Sequence, residues 1–175
     1  MGAEEECEDM LRNVGCPEIV VKHCKAVKSV AVKIAERAAR NGNNVNQDLI
    51  IRGAMLHDIG RCRTNGIEHA VVGARIAREL GVDESVVKII ERHIGGGLDT
   101  DEARELGLPE GSYMPETLEE KIVCHADSLI ATTRRQTVEE EIEALRKKGL
   151  TNAAEKVMNL HKELSELCGI DLDEL

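Results

Sequence analysis

The stretch Leu49-Ile50-Ile51-Arg52-Gly53-Ala54-Met55-Leu56-His57-Asp58-Ile59-Gly60-Arg61 decides how this chain is read. Its apolar first part predicts a buried helix, and Gly60 stands where a glycine can end one. The run closes on an imidazole beside a carboxylate, His57 and Asp58. An ionised Asp at the end of a buried helix needs a partner, because an unpaired buried charge is costly. Together the two side chains offer a metal one nitrogen and one oxygen.

Helical periodicity extends in both directions. Upstream, Cys16-Pro17-Glu18 is a start signal with Pro in the first turn, and the helix it opens runs to about Asn41-Gly42. Val20, His23, Val27, Val30 and Ile34 recur there by threes and fours, which puts His23 on the apolar stripe. Downstream, a helix over about 67–80 carries His69 and is stopped by Gly81. Asp83 caps the next helix, on which Val86, Ile90 and His93 share a face before Gly95-Gly96-Gly97 ends it. A short acidic helix over about 99–106 leads to the loop Gly107–Gly111. Thr117 and Glu120 are spaced as a capping box for a helix with Val123, Asp127 and Ile130 on one stripe.

From about Val138 two amphipathic helices follow, broken at Lys148-Gly149. Their apolar sets are Val138, Ile142, Leu145 and then Val157, Leu160, Leu164, Leu167. No β alternation or internal repeat interrupts this pattern. The expectation is an all-α protein with one domain over residues 1–175. It comprises a helical core over about 16–135 and an appended C-terminal hairpin over about 136–168.

Composition narrows the partners. The 175 residues include no Phe or Trp and a single Tyr, Tyr113, so the core must be aliphatic. Without aromatic platforms, and with a net charge of −10, a long nucleic acid is a poor fit. A small anionic substrate fits better, because a metal and a few Arg can reverse the local field. No apolar run reaches the roughly 18 residues of a membrane span, so no membrane partner is expected. The six Cys form no Cys-x-x-Cys pair and the acidic Glu4-Glu5-Glu6 is unlike a secretory or transit segment. Both features suit free thiols and a cytoplasmic location. The sequence leaves a homo-oligomer open.

His23, His57-Asp58, His93 and Asp127 all stand at apolar positions. Singly, each His reads as a hydrogen-bonded core residue. Asp127, on the stripe of Val123 and Ile130, resists that reading. A bound cation supplies the missing partner for all of them at once.

The order His23, His57-Asp58, Asp127 resembles the HD superfamily of metal-dependent phosphohydrolases, and His57-Asp58-Ile59-Gly60 its HDIG variant. The resemblance runs from about His23 to Arg135. Glu68-His69-Ala70-Val71-Val72-Gly73-Ala74 and Ile90-Glu91-Arg92-His93 look like the segments that carry two further His ligands in one branch. Lys121-Ile122-Val123-Cys124-His125-Ala126-Asp127 looks like the helix bearing the last Asp. The stretch from Arg92 to Asp127 is similar to a group of archaeal HD proteins without a settled function.

The resemblance implies a helical HD bundle and a metal centre of His23, His57, Asp58 and Asp127. His69 and His93 extend it to two ions bridged by Asp58, the central catalytic residue. Fe, Mn, Co, Ni or Zn would suit these ligands. The implied activity is hydrolysis by a metal-activated water of a phosphomonoester, a nucleotide or a dinucleotide polyphosphate, a small phosphorylated substrate in each case. Arg61 and Arg134 are the candidates for its phosphate. His125 and His161 match no ligand position and read as surface or structural residues. No Gly-Tyr-Pro follows His93, which speaks against the cyclic-di-GMP branch. Two alternatives share the ligand set: a mixed-valent di-iron HD oxygenase, and a non-catalytic metal-binding regulatory module.

Overall fold

The computed structural model describes residues 1–175. In chain order the helices are α1 (Ala3–Asn13), α2 (Glu18–Arg40), α3 (Gln47–Leu56), α4 (His69–Glu79), α5 (Glu84–Glu91), α6 (Thr100–Glu105), α7 (Leu118–Ser128), α8 (Val138–Lys147) and α9 (Thr151–Cys168). A 3-10 turn, Ile59–Cys62, follows α3, and another, Leu172–Glu174, follows α9. A two-stranded antiparallel ribbon, β1 (Ile130–Ala131) and β2 (Arg134–Arg135), separates α7 from α8. Each strand is two residues long, too short for alternation to reveal. The all-α expectation holds for everything that forms the core.

α2 is the spine. It packs against α3, α7, α9 and α1. Its buried residues divide between two apolar clusters: Val20, Val21 and Cys24 join α1, α3, α4 and α5, while Val27, Val30, Ala31 and Ile34 join α7, α8 and α9. His23 lies at the junction of the two. The C-terminal hairpin is appended in sequence but not in packing. Ile142, Leu145, Val157, Leu160 and Leu164 are buried in the same cluster as Ile122 and Leu129.

One predicted capping box and one predicted stop are realised differently in the structure. Thr117 does cap α7 by accepting from the Glu120 N–H, at 3.2 Å. The Glu120 carboxylate, however, bonds Glu116 N and Arg92 rather than completing a capping box. Gly60 has no left-handed backbone and does not stop α3. The helix dissolves at Asp58 (φ −101°, ψ 15°) into the 3-10 turn. Gly60 is required by a close approach instead: a Cβ there would lie 1.8 Å from the His69 carbonyl oxygen and 2.7 Å from Gly73 N. A Cβ on Gly73 would in turn meet Gly60 N at 3.0 Å. The two glycines let the turn after α3 lie directly on α4. Helix α1, with only Cys7 and Leu11 buried, gave too few apolar positions to be read from its sequence.

Candidate metal centre

Four imidazoles and two carboxylates converge where α2, α3, α4 and α7 meet. His23 comes from the second turn of α2, and His57 is the C-cap of α3. Asp58 opens the 3-10 turn, His69 begins α4, and Asp127 lies in the last turn of α7. His93 sits two residues past α5 rather than on its face, because the helix ends at Glu91. The Gly60–Gly73 contact is what brings Asp58 Oδ1 within 3.2 Å of His69 Nε2.

The histidines share one arrangement. Each turns Nδ1 toward a backbone carbonyl: His57 to Ala54 (2.7 Å), His69 to Gly66 (2.8 Å), His93 to Ile90 (2.7 Å) and His23 to Thr132. An Nδ1–H donating to a carbonyl leaves Nε2 as a lone pair, the tautomer a metal ligand needs. All four Nε2 atoms face the two carboxylates. His23 Nε2 is 3.0 Å from Asp127 Oδ1 and 3.6 Å from Asp58 Oδ2. His57 Nε2 is 3.5 Å from Asp127 Oδ1 and 3.7 Å from Asp58 Oδ2. His93 Nε2 is 3.3 Å from Asp58 Oδ1. Asp58 therefore presents Oδ2 to His23 and His57 and Oδ1 to His69 and His93.

Two observations fit a cation. His57 Nε2 and Asp58 Oδ1 are fully buried without a hydrogen-bond partner, a costly arrangement for a polar atom in a protein interior. His69 and His93 also bring their Nε2 atoms 3.0 Å apart. Since both Nδ1 atoms have carbonyl partners, two lone pairs meet there unless a positive charge stands between them. The ligand atoms of His23, His57 and Asp58 lie within 4.8 Å of one another. So do those of His57, His93 and Asp127, and those of Asp58, His69 and His93.

Electrostatics follow the same geometry. Burial opposes charging His57, but the Asp58 and Asp127 carboxylates outweigh it and hold its pKa well above the ordinary imidazole value. Burial also opposes ionising Asp58, and His57, His69 and His93 overcome it, so the carboxyl stays well below its usual range. Asp127 is lowered in the same way, against its burial, by His57 and His23. His93 is pushed below the ordinary imidazole value, chiefly by burial.

Arg61 Nε donates to Asp58 Oδ2 at 2.9 Å, so it braces the shared carboxylate. Arg134 stands apart. The ribbon turns back after α7, and Arg134 is exposed on it, 3.5 Å from Glu140 and outside the cavity that faces the metal centre. His125 and His161 are buried rather than on the surface. His125 Nε2 lies 2.8 Å from His161 Nδ1, and His161 Nε2 2.9 Å from Asp171 Oδ1, a chain that ties α7 to α9 and the C-terminal turn.

A cavity of about 780 Å³ opens from His69, His93 and Asp127. Its far wall is the C-terminal hairpin, through Glu141, Leu145, Lys148 and Leu150. Glu102 and Glu105 of α6 and the adjoining Leu106 form a side wall. No periodicity could place the hairpin there, since the contact joins segments far apart in the chain.

The HD domain family matches residues 20–132, which include every one of the converging residues. This chain belongs to the HD domain family. The HD protein is 46% identical over 172 residues to the tRNA (cytidine(56)-2'-O)-methyltransferase of Thermoplasma volcanium, over 98% of this chain and 49% of that protein. It thus spans about half the length of this relative. It is also 46% identical over 165 residues to the uncharacterized protein MJ0778 of Methanocaldococcus jannaschii, over 93% of this chain and 97% of that one. Among solved structures, the HD domain of the L. monocytogenes phosphodiesterase PgpH has a TM-score of 0.56 at 16% identity, covering 91% of this chain and 95% of that chain. That likeness is one of fold. No helix is long and apolar enough to cross a membrane.

Proposed function

We propose that this HD protein is a metal-dependent phosphohydrolase acting on a small phosphate ester. One observation carries the reading. The Asp58 carboxylate divides its two oxygens between two pairs of histidines, all with lone pairs directed inward. In this reading His23, His57, Asp58 and Asp127 would hold one divalent ion, and Asp58, His69 and His93 a second. Ions so held would supply activation of water at neutral pH and neutralisation of phosphoryl charge.

The chain's own residues do the rest. The carbonyls of Ala54, Gly66, Ile90 and Thr132 fix the tautomers and aim the rings. Arg61 holds Asp58 through Nε and lines the cavity, where a phosphate oxygen could accept from its other N–H groups. No Ser or Cys lines the cavity, and its one hydroxyl side chain, Thr151, belongs to the C-terminal hairpin that forms the far wall, so the reading is direct attack by water. The methyltransferase relative is named for a tRNA substrate, which favours a second reading, an RNA terminal phosphate. The net charge of −10 and the glutamates of the cavity wall fit a small ester better.

The test is a panel of phosphomonoesters, nucleotides and RNA ends, assayed with Mn, Co, Ni, Fe or Zn. Hydrolysis in oxygen-18 water should place the label on phosphate. Asp58→Ala should lower turnover by more than the roughly 10–100-fold typical of residues one shell out from a metal. A protein inert to every ester that consumes O₂ with an organic substrate would instead be an oxygenase.

A further inference from the structure

The 3-10 turn Ile59–Cys62, which follows Asp58 and contains Arg61, ends beside a second thiol. Cys16, in the link between α1 and α2, donates to the Ile59 carbonyl, with Sγ 3.6 Å from the oxygen. Arg63 ties the same two segments. Its Nη1 donates to the Val14 carbonyl at 2.9 Å and to Cys62 Sγ at 3.4 Å. Cys62 packs on the apolar cluster that holds Cys16, Leu56 and Ile59. Burial first, and the adjoining Cys62 thiol next, push the Cys16 pKa up to about 12.

The two thiols differ in access. Cys62 is half-buried, whereas Cys7, Cys16, Cys24, Cys124 and Cys168 are buried. Cys124 and Cys168 are also engaged with backbone carbonyls, those of His93 and Ile34. An oxidant in solution therefore meets Cys62 first. A guanidinium beside a partly exposed sulfur is the kind of surrounding in which cysteines react. Cys16 stands behind it, shielded from solvent and held as a thiol.

We propose that Cys62 is an oxidation site for hydroperoxides and that Cys16 resolves it as an intramolecular disulfide. The peroxide transfers one oxygen to the Cys62 sulfur, which becomes a sulfenic acid, and the rest of the peroxide leaves as an alcohol, or as water from hydrogen peroxide. The Cys16 sulfur then attacks the Cys62 sulfur. The S–O bond breaks, and the oxygen leaves as water with the Cys16 proton. Two electrons pass in all from the sulfurs to the peroxide O–O bond, and a dithiol reductant restores both thiols. The new bond ties the α1–α2 link to the turn that carries Arg61, the brace on Asp58.

Covalent mass tests this without reference to turnover. The full chain, with free metal chelated, is treated with hydrogen peroxide, its remaining thiols are alkylated, and its peptides are mapped by mass spectrometry without reduction. The Cys16 and Cys62 peptides should appear as one cross-linked species, with loss of both thiols and their return in dithiothreitol. Closing the long loop between them should raise the melting temperature by about 5–10 °C. Cys16→Ser should stop at a Cys62 sulfenic acid that dimedone traps, and Cys62→Ser should keep every remaining thiol. If either variant fails to fold by circular dichroism, the cross-link map of the wild type still decides. A Cys16–Cys24 or intermolecular disulfide, wild-type thiols left intact, a Cys62 sulfinic acid without a cross-link, or a cross-link that leaves melting unchanged would overturn the proposal.

Discussion

Helix α7 carries two polar side chains that belong to two different buried histidine clusters, and the contrast between the clusters is instructive. Asp127 faces the metal centre, and His125, two residues earlier, faces the C-terminal hairpin. In the hairpin cluster the groups satisfy one another. His161 Nε2 donates to Asp171, and His161 Nδ1 then accepts from His125 Nε2. Only His125 Nδ1 lacks a partner. In the metal centre every imidazole spends its donor on a backbone carbonyl, and the lone pairs and carboxylates are left to face one another. The first arrangement leaves one buried nitrogen unpaired and otherwise closes on itself as a structural tie. The second needs a cation. Both clusters bury histidine side chains, so the direction of the donors distinguishes a site from a tie.

The largest effect that would sharpen this contrast lies in the backbone. Gly60→Ala places a methyl against the His69 carbonyl with no flexible side chain to yield. It should destabilise by about 3 kcal/mol or more, which in a chain of this size lowers the melting temperature by roughly 10 °C. It should also separate Asp58 from His69 and weaken metal binding. Unchanged melting and metal content would show that the approach of turn and helix is not what builds the centre.

Next is Arg61→Ala, which removes the brace on Asp58 Oδ2. Turnover should fall by about 10–100-fold with the metal retained, as steady-state kinetics and metal analysis would show. On the other side of the comparison, His161→Ala should cost about 1–3 kcal/mol in urea melts by stranding its partners, while metal content stays the same. Loss of metal from this variant would merge the two clusters into one functional unit.

The smallest effect is a pH slope. Burial, together with the charges of His161 and Arg135, pushes the His125 pKa down from 6.5 to about 3. The folded protein keeps this imidazole neutral, while the unfolded chain takes up its proton below 6.5. His125 therefore makes stability fall as the pH drops from 6.5 toward 3, by up to about 1.4 kcal/mol per unit. The difference between wild type and His125→Gln in melts from pH 7 to pH 4.5 isolates this contribution. Parallel curves would place the strain elsewhere.

The metal centre was more legible in the sequence than its surroundings. His23 and Asp127 stand on apolar stripes, and His57-Asp58 closes an apolar run, so local pattern alone marked them as out of place. The helices of the hairpin were equally plain from Ile142, Val157 and Leu164. Other features depend on approaches between distant segments, which no local pattern records. Gly60 looked like a helix stop and proved to be a contact with α4. His93 lay beyond the end of α5, where a carbonyl rather than a helical face orients it. Arg134 was carried away from the cavity by a ribbon too short to read, and the hairpin became a cavity wall through packing across the whole chain. His125 and His161 lack a ligand pattern and read as surface or structural residues; the structural role depends on Asp171, ten residues past His161.

The central claim is that the orphaned atoms around Asp58 are the seats of two ions. Metal content of the purified protein, measured after saturation with Mn or Co and removal of excess, tests it most directly. The wild type should hold about two ions per chain, and His69→Ala and His93→Ala about one. His161→Ala should still hold two. A wild type that holds one ion, with neither His69→Ala nor His93→Ala changing that number, would contradict the account.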